Sequence, residues 1–126
     1  MTVAYVDTSC LVATAFGERG ATAVARRLRT FDHLISANLL EAELRATYRR
    51  EGLAEEPEAL GLIACVVPDR PLSDEIRRVL ETGYLRGADC WHLATALYVA
   101  EDPRSMTFLT LDVAQRRVAR ELGFMV

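Results

Sequence analysis

The chain has no lysine: all 15 of its basic residues are arginine. Genomic base composition accounts for such a bias, and guanidinium forks also suit phosphate oxygens bidentately. Cysteine is scarce. Cys10, Cys65 and Cys90 are odd in number, far apart, and each set in an apolar segment. They argue against a disulfide framework and a cysteine-rich zinc site, and read as small buried hydrophobes. No apolar run approaches the roughly 20 residues that span a bilayer, so no membrane association is expected. The first residues lack a basic segment followed by an apolar signal core, which makes the cytoplasm the expected location. The net charge of −3 gives no global positive field to announce nucleic acid. No Gly/Ser-rich linker, repeat or low-complexity tract interrupts the chain. A single domain over residues 1–126 is expected, large enough to bury roughly two-thirds of its unfolded surface without a staple.

What is present is an alternation of short β-prone runs and helical patterns. Val3–Val6 predicts a strand, and Thr8–Phe16 a helix stopped by Gly17. Ala21–Arg29 predicts a second helix, His33–Ser36 a buried strand, and Leu39–Arg50 a helix ending at Gly52. Glu55–Ala64, with Pro57 near its start, is a weaker helix, and Cys65–Pro68 a strand. Ser73 reads as the cap of a helix that ends at Gly83. Cys90–Ala100 is apolar almost all round and predicts a central helix. Thr107–Leu111 is a strand, Val113–Leu122 a helix closed by Gly123, and "FMV" a final edge strand. Such alternation implies an α/β fold with a parallel sheet.

In such folds ligands bind beyond the carboxyl ends of the strands. Asp7 and Asp112 each follow a predicted strand and precede a helix, and Asp89 opens the central helix. Taken singly, each reads first as a helix cap. Glu43 lies mid-helix and has no such excuse. On a helical wheel Leu39, Leu40, Ala42 and Ala46 form an apolar arc with Glu43 near its middle. Glu41 falls opposite, beside Arg45 and Arg49, an ordinary solvated pairing. An inward carboxylate costs several kcal/mol unless it is paired or bound to metal.

If Asp7, Glu43, Asp89 and Asp112 converge at roughly 5–6 Å, each pair repels by about 3 kcal/mol at an effective dielectric near 20. Six such pairs sum to about 18 kcal/mol as an upper bound, more than a marginally stable domain absorbs. Either some acids stay protonated or divalent cations neutralise them. All-oxygen ligation selects Mg²⁺ or Mn²⁺ over zinc. The chemistry such a site supports is phosphodiester hydrolysis, with a metal-activated water and a carboxylate to orient or deprotonate it. A phosphorelay receiver needs a lysine near its acceptor Asp, and this chain has none. A haloacid-dehalogenase-type phosphatase needs a second Asp two residues after the first, where this chain has Ser9.

Four blocks in order, "YVDTSCLV", "ISANLLEAELRA", "LRGADCWHLATAL" and "FLTLDVAQRRVARELG", resemble the PIN domain, particularly the VapC-type toxins. The third is the most specific, through Arg86, Asp89, His92, Leu93, Ala94, Thr95 and Ala96. The resemblance implies a three-layer α/β/α sandwich around a mainly parallel sheet, and a Mg²⁺- or Mn²⁺-dependent endoribonuclease. Carried onto this chain, its catalytic and metal-binding acids are Asp7, Glu43, Asp89 and Asp112, supported by Thr8, Ser9 and Thr110. It implies an RNA substrate, a cognate antitoxin protein and a homodimer. A catalytically silent PIN-like module that binds RNA or protein is the alternative.

The chain departs from the family pattern in places. Cys90 and Trp91 stand where small or variable residues are common, and Trp91 reads as packing rather than base stacking. The segment between Glu43 and Asp89 is somewhat short, which bears on the dimer and antitoxin surface around Glu55–Pro71. His92 reads as a packed, hydrogen-bonded histidine, and His33 has no evident role. Arg45, Arg49, Arg50 and Arg86 flank the acidic blocks and are candidate RNA phosphate contacts. Arg116, Arg117 and Arg120 read as solvated surface.

Overall fold

A computed structural model describes residues 1–56 and 58–126; Pro57, expected near the start of the weak helix, lies outside the described residues. The chain runs β1 (Val3–Val6), α1 (Thr8–Ala15), α2 (Ala21–Leu28), β2 (His33–Ala37), α3 (Leu39–Arg50), α4 (Glu58–Gly61) and β3 (Ala64–Val66). It continues through α5 (Ser73–Thr82), α6 (Gly87–Val99), a 3₁₀ turn at Pro103–Ser105, β4 (Thr107–Leu109) and α7 (Val113–Glu121). The strands form one parallel sheet in the order β3-β2-β1-β4. Tyr5 of β1 is in register with Ile35 on one side and Phe108 on the other.

The period-2 alternation of β1 builds the three layers. Tyr5 points into a core shared with α5, α6 and α7, where it stacks on Phe108 at 5.0 Å between ring centroids. Ala4 and Val6 point the other way, into a core with Leu11 of α1 and Leu40, Leu44 and Tyr48 of α3. Helices therefore cover both faces of a parallel sheet, the arrangement that a strand with no polar face requires. α6 is the most deeply set helix: Cys90 through Leu97 are buried except for the partly covered Trp91. Among the described residues no helix is long and apolar enough to cross a membrane.

Several local expectations are corrected. Ser73 is not a cap: the cap position is Leu72, which makes no side-chain capping bond and is buried in the core, so packing rather than a hydroxyl starts α5. Gly83 ends that helix with extended backbone, and glycine is needed there because a Cβ would sit 2.8 Å from Val118 Cγ2. Gly52 does serve as a left-handed stop after α3, at φ 68°. Cys65 is exposed rather than buried, since β3 is an edge strand with no neighbour beyond it. The weak helix shrinks to the four residues of α4. The final "FMV" contributes one isolated bridge, Met125 to Thr107, rather than a strand.

Candidate active site

The ends of β1 and β4 deliver two acids side by side. Asp7 follows β1, is 5% exposed, and caps α1 by accepting from the Ser9 backbone N–H at Oδ2, 3.0 Å. Asp112 follows β4 and caps α7, its Oδ1 accepting from the Gln115 backbone N–H at 2.7 Å. Both acids are thus caps, and neither cap uses more than one oxygen. Asp89 is no cap: α6 begins at Gly87 behind Arg86, and Asp89 stands half-buried in its first turn.

Glu43 arrives from α3, but not as the helical wheel implied. The buried stripe of α3 is Leu40, Leu44 and Tyr48, whereas Ala42 and Ala46 are exposed. Glu43 sits at the edge of that stripe, beside half-buried Leu39 and Thr47, so it reaches the site from the flank. There its Oε1 accepts from Thr8 Oγ1 at 2.8 Å and from His92 Nε2 at 2.7 Å. His92 is 1% exposed; its Nδ1 lies 2.7 Å from the Tyr5 hydroxyl and its Nε2 3.7 Å from Asp7 Oδ1. Burial pushes the Tyr5 phenol well above its ordinary range, so it stays protonated and donates to Nδ1, turning Nε2–H toward Glu43.

Electrostatics tie the four acids together. Burial first, then the charges of Asp7, Asp112 and Glu43, hold the Asp89 carboxyl above its ordinary range. Burial also pushes Glu43 up, but hydrogen bonds from His92 and Thr8 outweigh it and leave Glu43 below its ordinary value. Among the described residues no arginine forms an ion pair with Asp7, Glu43, Asp89 or Asp112. Burial, then the Asp7 charge, drives the Cys10 thiol up to about 12, so it remains a neutral packing group.

The supporting hydroxyls lie at the strand ends. Thr8 bonds Glu43. Ser9 Oγ lies 3.4 Å from Thr110 Oγ1 and accepts from the Leu111 backbone N–H. Thr110 Oγ1 accepts from the Asp112 N–H at 3.1 Å and donates to Gln115 Oε1 at 2.6 Å. The candidate phosphate contacts are dispersed. Arg45 is bound by Glu41 and Glu55, and Arg50 by Glu51, on exposed surface. Arg49 is exposed on the same helix, and Arg86 is exposed at the start of α6. Trp91 donates from Nε1 to Asn38 Oδ1 at 3.2 Å, which fastens α6 to the start of α3.

Sequence reasoning missed two residues and half of a third. Gln115 is fully buried and bonds Asp7; only its place three residues after Asp112 hinted at an inward position. Arg116, expected as solvated surface, is half-buried and donates from Nη2 to the Thr110 carbonyl at 2.8 Å, while Arg117 and Arg120 are exposed. His92 is packed and hydrogen-bonded as expected, but its partner, Glu43, was not anticipated.

The donor set suits a hard cation: it is all oxygen, Asp7 is rigidly held, and Glu43, Asp89 and Asp112 are exposed enough to turn. As they stand, no three His, Cys, Asp or Glu side chains among the described residues are grouped to hold one ion.

The fold is a parallel α/β/α domain with acids at the carboxyl ends of its paired strands β1 and β4, where ligands of such folds bind. The PIN domain family model matches residues 4–121, and the chain belongs to that family. PIN domains are generally nucleases that use divalent metal ions. No curated protein and no solved structure matches the chain significantly.

Proposed function

We propose that this protein is a divalent-metal-dependent endoribonuclease, the VapC-type toxin of a type II toxin–antitoxin pair, with Asp7, Glu43, Asp89 and Asp112 as its working acids. The observation that carries the reading is that the paired strands β1 and β4 end in Asp7 and Asp112, that Gln115 ties Asp7 to the Asp89 turn and His92 lies between Asp7 and Glu43, and that no arginine among the described residues is paired to any of these acids.

Asp7 is the fixed member, held through both oxygens and buried. Asp89 stands in the first turn of α6 and Asp112 at the cap of α7, and the charges of Asp7 and Asp112 both act on Asp89. Glu43, tied at Oε1 by Thr8 and His92, keeps Oε2 without a protein partner among the described residues, so that oxygen is free to orient an incoming water or take its proton. A Mg²⁺ or Mn²⁺ ion, when bound, supplies charge neutralisation and acidifies water. Arg116, anchored on the Thr110 carbonyl, and Arg86, at the start of α6, are the guanidiniums best set to meet RNA phosphates.

The test is cleavage of single-stranded and structured RNA by the purified protein with Mn²⁺ or Mg²⁺, and growth arrest on expression that a protein encoded beside it relieves. Wild-type turnover by the Asp7→Asn protein would end the assignment. A folded protein that binds RNA but neither binds Mn²⁺ nor cleaves would be the silent module instead.

A further inference from the structure

Gln115 has no accessible surface, and a carboxamide shut away from water is costly unless its hydrogen bonds are made. Here they are made, all of them to the site. Nε2 donates to Asp7 Oδ1 at 3.1 Å and to the Asp89 backbone carbonyl at 3.2 Å. Oε1 accepts from Thr110 Oγ1 at 2.6 Å, and the backbone N–H of the same residue donates to Asp112 Oδ1 at 2.7 Å. One side chain therefore joins the end of β1, the first turn of α6 and the end of β4. The amide has a single sensible orientation. Flipped, its oxygen would face the Asp7 carboxylate and the Asp89 carbonyl, two acceptors with nothing to give.

We infer that Gln115 is a positioning residue, which fixes the Asp7 carboxylate and the spacing of the Asp89 turn for cation binding without discharging them. The inference rests on the metal-dependent reading of the site. Its chemistry is specific to a neutral donor of this length. Arginine would neutralise Asp7 and compete with the cation, glutamate would add to the repulsion, and asparagine is one methylene short. With Ser9 N–H on Oδ2 and Gln115 on Oδ1, the Asp7 carboxylate plane is locked, while each oxygen keeps a lone pair free.

The experiment compares wild type with Gln115→Met, which preserves length and volume and deletes both donors. Mn²⁺ binding is read by isothermal titration and by electron paramagnetic resonance of the bound ion, and RNA cleavage is followed over a Mn²⁺ series. The expected result is a folded protein whose Mn²⁺ Kd rises roughly 10–100-fold, with half-activation shifted alike and kcat at saturating Mn²⁺ within about threefold of wild type. A folded variant whose Kd rises by less than about tenfold overturns the inference and leaves the nuclease reading standing. A wild-type protein that binds no Mn²⁺ overturns both. Should Gln115→Met not fold, the Gln115 side-chain NH₂ resonances of the wild type decide. Slow exchange in metal-free protein and a shift that tracks Mg²⁺ saturation support the inference; solvent-rate exchange or no shift defeats it.

Discussion

Two acidic regions of this protein stand in opposite electrostatic states. Where α5 begins, Glu75 is held bidentately by Arg70 at 2.9 and 3.0 Å, Arg70 lies over the Tyr98 ring, and Tyr98 donates to Asp69. Glu75 and Arg70 answer each other's charge there, and Arg70 draws the Glu75 carboxyl below its ordinary range. At the strand ends the acids have only neutral or imidazole partners: Ser9 N–H, Thr8, Gln115 and His92. There burial and neighbouring charge drive Asp89 up. The first region is finished as a piece of structure. The second is organised but has no arginine paired to its acids among the described residues, the difference on which the proposed cation site rests.

The strongest way to break this contrast is at Asp7. Asp7→Asn keeps a capping oxygen for the Ser9 N–H but turns its NH₂ toward the Gln115 Nε2 donor. Circular dichroism should stay that of a folded protein and stability fall by about 1–3 kcal/mol, while RNA cleavage falls on the order of 10²–10³-fold. Next comes Mn²⁺ itself. At about 100 times its Kd it should stabilise the wild type by about 2.7 kcal/mol, seen as a Tm increase of several degrees, and do far less for Asp7→Asn. A Tm that ignores Mn²⁺ would erase the difference between the regions.

The pH dependence carries opposite signs in the two places. For Asp89 the folded carboxyl binds its proton more tightly than the unfolded one, so metal-free stability falls as pH rises from about 4 through its raised value. Asp89→Asn should therefore flatten that slope and raise the metal-free Tm at pH 7 by roughly 1–3 °C; a decrease would contradict the repulsion. For Glu75 the folded value is the lower one, so its contribution is present above about 4.3 and is lost as pH falls through that lower value. Glu75→Gln should lower Tm at pH 7 by at most about 2 °C, scarcely alter it in strong acid, and leave Mn²⁺ binding untouched.

Much of the fold was legible because it is written in short periods. The alternation in Val3–Val6, the apolar sweep of α6 and the stop at Gly52 each follow from neighbours a few residues apart. Asp7 and Asp112 were legible as strand-end acids for the same reason. Glu43 was singled out on a partly mistaken arc: Ala42 and Ala46 are small enough to sit at the surface at little cost, so apolar character alone misplaced the helix face. Ser73 looked like a cap until the burial of Leu72 took precedence. Cys65 looked buried because a short apolar run does not say whether its strand lies at an edge.

The chain by itself determined the element types, their α/β order and the acids at the strand ends, because backbone propensity and hydrophobic period act over a few residues. Only the tertiary structure decided that His92 meets Glu43, that Gln115 spans Asp7 and the Asp89 turn, and that Arg45 is spent on Glu41 and Glu55 while Arg116 is turned to Thr110. Gln115 and Asp7 are separated by 108 positions. A hydrogen bond over that distance has no local signature; it exists because β1 and β4 pair in the sheet and bring their ends together.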